Sequence, residues 1–155
     1  MIIGVDPGKT GGFVVAGQGH GPPVIVKVQK FKGMETSEMG FALYSAICQY
    51  KPEVVCIEKV HASPRMGVAS AFTFGQCYET LCTAARISGT KTLHKSPQEW
   101  MALIGCMSKG DKGKMYDYAR TILWPLYQHM FNKELGDAAA LAMYTLKWAK
   151  HNGGT

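Results

Sequence analysis

The chain opens Met1-Ile2-Ile3-Gly4-Val5-Asp6-Pro7-Gly8, and no other run limits what can follow so strongly. The β-branched residues Ile2, Ile3 and Val5 favour a buried, pleated strand. Pro7 has no amide hydrogen for a sheet ladder and Gly8 admits positive φ, so the strand ends at Asp6 and the chain turns back. An ionised carboxylate at the end of a core strand costs several kcal/mol unless something cationic offsets it. Two readings of Asp6 follow. It is either part of a turn chosen for geometry alone or a metal ligand on a central strand, and this stretch does not separate them.

The segments that follow alternate in period. Gly12–Ala16 and Pro23–Phe31 read as second and third strands, joined by Gly-rich links short enough for antiparallel hairpins. Val24, Val26 and Val28 alternate with Ile25, Lys27 and Gln29, which turns one face polar, as at a sheet edge. Thr36 or Ser37 is placed to cap a helix carrying Met39, Leu43, Ala46, Ile47 and Tyr50 at helical spacing. Lys51-Pro52 ends it, and Glu53–Glu58 is a second core strand. A strand, helix, strand order implies a right-handed crossover, so this strand runs parallel to the first. Glu58 therefore lies at the same carboxyl end as Asp6, where sites form in open sheets.

Residues 59–67 are polar and turn-rich. Val68–Ile87 reads as a long helix with an apolar stripe of Ala71, Phe74, Tyr78, Leu81 and Ala85, widened by Phe72 and Cys82. That width suits packing on the sheet and against a second subunit, and packing on the sheet alone is the simpler alternative. Lys91–His94 is a last strand, and Ser96-Pro97 starts a helix through Trp100 and Leu103. A basic, glycine-interrupted loop, Ser108–Lys114, leads into a helix ending at Trp124-Pro125. The final helix is read from Glu134 to Trp148, with Glu134 and Asp137 at i and i+3 on one face of its first turns.

Asp6 and Glu58 from adjacent strands, with Glu134 and Asp137 from the last helix, make the candidate site. Hard divalent cations take oxygen ligands and keep positions open for water and phosphate. Two of them about 4 Å apart activate a water and stabilise the leaving oxygen in an in-line displacement. For the helical pair the alternative is ordinary enrichment of acids at a helix N-terminus. Asp6-Pro-Gly-Lys-Thr10 also invites comparison with a phosphate-cradling nucleotide loop. It lacks the P-loop pattern, and a two-lobed ATPase needs a second comparable domain.

The 155 residues suit one domain, 46% hydrophobic, with a net charge of +6 that fits a polyanionic partner. The five cysteines show no Cys-x-x-Cys spacing and read as small buried hydrophobes. The start of the sequence has no signal-peptide pattern, and no apolar run is long enough to span a membrane. A cytoplasmic protein is expected.

Taken together, Ile-Gly-Val-Asp6-Pro-Gly, the Ile-Glu58 strand end, Ser70-Ala-Phe-Thr-Phe-Gly75-Gln76 and Glu134-x-x-Asp137-Ala-Ala-Ala-Leu-Ala occur in an order that resembles the RuvC-type Holliday-junction resolvases of the ribonuclease H-like superfamily. Pro97-x-x-Trp100, the basic loop and Ala119-Arg-Thr-Ile-Leu-Trp-Pro125 are similar to the compact phage and prophage versions. The resemblance spans residues 2 to 146. It implies an α/β, ribonuclease H-like fold: a five-stranded mixed sheet, its first three strands antiparallel and its later strands parallel to the first, flanked by helices. It also implies a homodimer that resolves four-way DNA junctions by paired, symmetric nicks, using two Mg²⁺ or Mn²⁺ ions per site.

By position Asp6, Glu58, Glu134 and Asp137 match the metal-binding acids, and one of Lys109, Lys112 and Lys114 meets the scissile phosphate. Lys112 is grouped with the acids as catalytic. Lys9, His61, Arg65, Lys109, Lys112 and Lys114 are the expected DNA contacts. His61 stands where bacterial relatives carry an aromatic wedge, and Glu134 where they commonly carry Asp. Related nucleases acting on flaps, forks or RNA–DNA hybrids, and a junction-binding protein that has lost catalysis, are the alternatives.

Overall fold

Ile2–Asp6 forms the central strand β1 of a computed structural model that describes residues 1–19, 21–60 and 66–152. The turn at Pro7–Gly11 folds back into β2 (Gly12–Gly17), which pairs antiparallel with β1 and with β3 (Val24–Lys30). Helix α1 (Thr36–Tyr50) crosses over to β4 (Val54–Glu58), parallel to β1, and α2 (Val68–Ile87) leads to β5 (Lys91–Lys95), parallel to β4. The resulting five-stranded order is β3-β2-β1-β4-β5. This is the mixed sheet expected from the sequence. Helices α3 (Pro97–Ile104), α4 (Lys112–Tyr118) and α5 (Gly136–Asn152) complete the chain.

Strand alternation sends successive side chains of β1 to opposite layers. Ile3 and Val5 pack with Phe13, Val15 and Phe31 under α1 and α2. Ile2 faces the other way, into a core built with Trp100, Trp124, Leu135 and the alanines of α5. Asp6, in phase with Ile2 and Gly4, lies on the α5 side. Glu58, in phase with Cys56 of that same core, lies on it too.

Helix α5 sits directly on β1. A Cβ at Gly4 would stand 2.3 Å from the backbone nitrogen of Ala142 and 2.7 Å from the carbonyl oxygen of Ala138. Only glycine permits that approach, and Ala138, Ala139, Ala140 and Ala142, all fully buried, keep the facing helix equally thin. Gly136 repeats the device toward α4, where a Cβ would lie 3.0 Å from the nitrogen of Tyr116. Two glycines thus draw the starts of α4 and α5 onto the carboxyl end of β1.

Several local expectations need correction. Helix α1 starts at Thr36, so neither Thr36 nor Ser37 caps it. The cap is Glu35, whose backbone N–H donates to Glu38 Oε2 at 2.7 Å. On β3 it is Ile25 that is buried, while Val24 and Val26 are exposed, because a bulge between Val15 and Ala16 shifts the register of this edge strand. The helix expected to reach Trp124 ends at Tyr118. The chain continues through a π turn over Ala119–Leu123, closed by Trp124 N–H donating to Ala119 O at 2.8 Å, and a 3₁₀ segment over Pro125–Met130. Pro125 lacks the N–H that a continuing helix needs. Helix α5 begins at Gly136, so Glu134 precedes it. On α2, Leu81, Cys82 and Ala85 are buried as expected, with Cys77 and Ala84, but Ala71, Phe74 and Tyr78 are only half-buried and Phe72 is 68% exposed. Cys56, Cys77, Cys82 and Cys106 are buried and free, Cys48 is exposed and free, and no helix among the described residues is long and apolar enough to cross a membrane.

The Gly4 contact makes a direct prediction. In Gly4→Val the added atoms meet backbone rather than a flexible side chain, so α5 must move. We expect a loss of about 2 kcal/mol or more in urea unfolding, near the upper part of the range for overpacked cores. An unchanged unfolding midpoint would show that α5 is not seated on β1 in this way.

Candidate active site

Asp6 and Glu58 each follow by one residue Val5 and Ile57, the last pair of the β1–β4 ladder. Parallel pairing brings the two carboxylates side by side at one end of the sheet. Asp137, in the first turn of α5, comes over them because that helix rests on Gly4. Lys112, the first residue of α4, reaches in from the far side, its Nζ 4.0 Å from Asp137 Oδ2. These four residues line one cavity of about 330 Å³ together with Gly8, Lys9, Thr10 and Phe74.

The electrostatics follow from burial. Asp6 is only 8% exposed, and its Oδ2 has no hydrogen-bond partner. Burial, then the Asp137 charge, pushes its pKa up to about 7, with Lys112 pulling the other way. Burial likewise raises Glu58 to about 8, reinforced by Asp6 and Asp137 and opposed by Lys112. Asp137 is raised by burial and lowered by Lys112. When all three are ionised, Lys112, the cation that acts on all of them, offsets one negative charge and leaves two that one divalent cation would balance. Among the described residues no three acids stand close enough to form a ready-made ligand cage. An orphaned buried carboxylate oxygen beside two more acids nevertheless fits a hard, oxygen-seeking cation. Asp6, Glu58 and Asp137 are the residues that would hold it.

Glu134 is not brought into this group. Lying ahead of α5, it cannot share a helical face with Asp137. Its Oε1 accepts from Lys32 Nζ at 3.1 Å and its Oε2 from Asn132 Nδ2 at 3.0 Å, and the hydrogen bonds with Lys32 and Asn132 hold its pKa below the ordinary value. Lys32 lies 102 positions away in sequence, and nothing in the local pattern around Glu134 signals such a partner.

The structure also separates the lysines. Lys112 points at the acids, Lys9 lines the same cavity, and Lys109 lines an adjoining one. Lys114 instead donates from Nζ to the carbonyl of Met107 at 3.0 Å, bracing the basic loop. His61 and Arg65, expected as DNA contacts, lie outside the described residues. Phe74, expected as part of a buried stripe, is half-buried and stands against Gly8 at the rim of the acid cavity. A period-based reading places an aromatic on a helix face but cannot tell a core from the wall of a cleft.

A pH dependence follows. Folding raises the pKa of Asp6 above 3.8 to about 7 and of Glu58 above 4.5 to about 8, so the native state holds protons that the unfolded chain releases. Stability contributed by these acids is therefore lost as pH rises through that window. His94, which burial lowers below 6.5, acts in the opposite sense, but it is common to wild type and Asp6→Asn, so their comparison isolates Asp6. Without divalent metal, we expect the melting temperature of the wild type, relative to Asp6→Asn, to fall as pH rises from about 4 to about 7, following the linkage above. Mg²⁺ should raise the wild-type melting temperature most at the alkaline end, because the cation competes with protons. Parallel pH curves for the two proteins, with no Mg²⁺ effect, would contradict the site.

No protein-family model matches the sequence, and neither does any curated protein. Solved structures do match. RuvC of T. thermophilus in complex with a Holliday junction substrate superposes with a TM-score of 0.72 at 18% identity, covering 97% of this chain and 96% of that one. The fowlpox virus resolvase in complex with Holliday junction DNA gives 0.62 at 14% identity over 96% and 99%. The yeast mitochondrial Holliday junction resolvase Ydc2 gives 0.60 at 12% identity over 96% and 80%. The chain therefore has the ribonuclease H-like fold of RuvC and of these other junction resolvases, along nearly its whole length.

Proposed function

We propose that this chain is a divalent-metal-dependent, structure-selective endonuclease that resolves four-way DNA junctions, working as a homodimer of single nuclease domains in the cytoplasm. The buried carboxylate of Asp6, with one oxygen left without a partner beside Glu58, Asp137 and Lys112, carries the reading. A chain that only bound DNA would set these acids against a polyanion for no return, which argues against a catalytically silent scaffold. The fold shared with proteins described as junction resolvases supports four-way DNA as the substrate class.

Bound Mg²⁺ or Mn²⁺ would supply the polarisation of the phosphate and the activation of the attacking water. The chain's own residues do the rest. Asp6 and Glu58 are fixed on strand ends, so their oxygens present a rigid edge to the cation, and Asp137 closes the set from α5. Lys112 is half-exposed at the mouth, where its ammonium can meet negative charge developing on the phosphate. Lys9 and Lys109 lie on either side of it and suit backbone phosphates, which provide salt-dependent, largely sequence-independent affinity. The charge balance at the three acids accommodates one divalent cation. A second requires Glu134 to leave Lys32. Lys32 is largely solvent-exposed, so this ion pair is weak enough to exchange for a metal.

The test compares wild type, Asp6→Asn and Lys112→Ala on labelled four-way, flap, fork and linear DNA and on an RNA–DNA hybrid, with and without Mg²⁺. Wild type should nick junctions at symmetry-related positions and leave linear duplex intact. Asp6→Asn should bind junctions and lose cutting by at least about a thousandfold, as for a group that supplies several kcal/mol to the transition state. Lys112→Ala should lose roughly a hundredfold, the scale of one electrostatic donor. Unchanged cutting by Asp6→Asn would refute the metal site, and preferential cutting of flaps, forks or RNA–DNA hybrids would move the substrate to the related nucleases.

The dimer rests on α2. Its first half leaves Val68 88% and Phe72 68% exposed on an otherwise basic protein. Large apolar side chains in water at this density mark an association surface. Phe72→Glu should convert a sedimenting dimer to monomer without loss of folded signal and should uncouple the paired nicks. A monomeric wild type would refute this part.

A further inference from the structure

A second cavity of about 240 Å³ adjoins the acids on the side away from Lys9 and shares Glu58, Lys112 and Asp137 with the first. Its other walls are Pro97, Gln98 and Met101 of α3 and Met107–Gly110 of the basic loop. The two cavities form one trough that crosses the acids. A strand lying along it with its phosphate at Lys112 places a neighbouring nucleotide over each half.

The chemistry of the second half suits a base rather than a phosphate. Met107, 46% exposed, and Pro97 present apolar surface above the buried Met101, and a thioether makes favourable contacts with aromatic rings. Among the described residues, Lys109 is the only cation lining the cavity besides the Lys112 that faces Asp137. Gln98 is exposed at the rim, and its amide makes no hydrogen bond among the described residues, leaving both a donor and an acceptor free.

Both walls are held in place. Ser96 N–H donates to Glu99 Oε2 at 2.9 Å and Glu99 N–H to Ser96 Oγ at 3.4 Å, a capping box that fixes the start of α3. Opposite, Lys109 and Gly110 adopt φ of 53° and 85° in a turn closed by Asp111 N–H donating to Ser108 O at 3.1 Å. Lys114 Nζ ties Met107 O to the same loop.

We propose that this pocket takes the base of the nucleotide adjoining the scissile phosphate, against Met107 and Pro97, and that Gln98 reads its edge and favours adenine. A carboxamide matches adenine by donating and accepting in one bidentate pair. The inference rests on the nuclease reading above. Cleavage would then depend on one base beside the nick as well as on branched shape.

The experiment uses full-length protein and a panel of four-way junctions that differ in one nucleotide at a time around the crossover. Cutting rates are measured for wild type, Gln98→Ala and Met107→Ala, and binding is measured with the same panel in the Asp6→Asn background. The expected result is a preference for adenine of about tenfold or more at one position beside the nick, the scale of one bidentate contact. Gln98→Ala should reduce that preference to about twofold or less by slowing cutting of the adenine junction more than of the others, the signature of lost discrimination rather than of uniformly lost catalysis. A flat wild-type panel, or a preference that survives both variants, overturns the pocket and leaves the nuclease reading intact. Binding to the panel without cutting by wild type overturns the nuclease reading. The pocket is then judged on affinities by the same criterion, adenine preference abolished by Gln98→Ala supporting it and any other pattern overturning it.

Discussion

Everything at the site depends on how closely α5 approaches β1. The missing side chain at Gly4 lets the backbone of Ala138 and Ala142 come down onto the sheet. Without that approach Asp137 would stand off by roughly the thickness of a side-chain layer, since helices normally pack on their neighbours some 8–10 Å away. The same helix covers Asp6 and excludes water from it. Close packing therefore creates both the arrangement of the acids and the electrostatic cost of ionising them. Gly136 repeats the device on α4 and brings Lys112 to the edge of the acids. The site is in this sense a consequence of backbone packing, and its polar residues only occupy positions that the packing defines.

Much of this was legible in the sequence because the strands obey strong local rules. Pro7 and Gly8 can only end a strand, and Lys51-Pro52 can only end a helix, so Asp6 and Glu58 were fixed at the same end of parallel strands before any coordinates. Asp137 followed from its place at the start of an alanine-rich helix. The failures have a common cause. The i, i+3 relation between Glu134 and Asp137 assumed that α5 begins at Glu134, whereas Leu135 is buried and the helix begins at Gly136 against Tyr116. A contact with α4 sets that boundary, and local propensity does not encode it. The valines of β3 failed for a similar reason: a one-residue bulge exchanges the faces, and its position is decided by pairing with β2.

The lysines show the limit of composition as an argument. A net charge of +6 points to a polyanion but gives each lysine the same standing. The structure divides them by what their ammonium groups meet. Lys112 faces carboxylates, Lys95 is held by Glu99 at 3.0 Å, Lys114 is spent on a backbone carbonyl, and Lys32 on Glu134. Lys9 and Lys109 flank the trough, one on each side of the acids. Position along the trough, rather than the sum of charges, is what would guide a phosphate backbone across the acids.

Glu134 and Asp6 are opposite solutions to the same problem. Asp6 is buried without a partner for Oδ2, so its ionised form is unfavourable until a cation arrives. Glu134 already has Lys32 and Asn132, and its ionised form is favoured without one. A metal at Asp6 gains by relieving an unfavourable charge, whereas a metal at Glu134 must replace an existing pair. The two positions therefore differ in affinity for a divalent cation even though both side chains are carboxylates. A polyanionic strand shifts this balance, because phosphates compete for the ammonium of Lys32 and leave Glu134 without its counter-ion. In the proposed mechanism, metal occupancy at the second position would in that way be coupled to the presence of nucleic acid, through an ion pair weak enough to exchange.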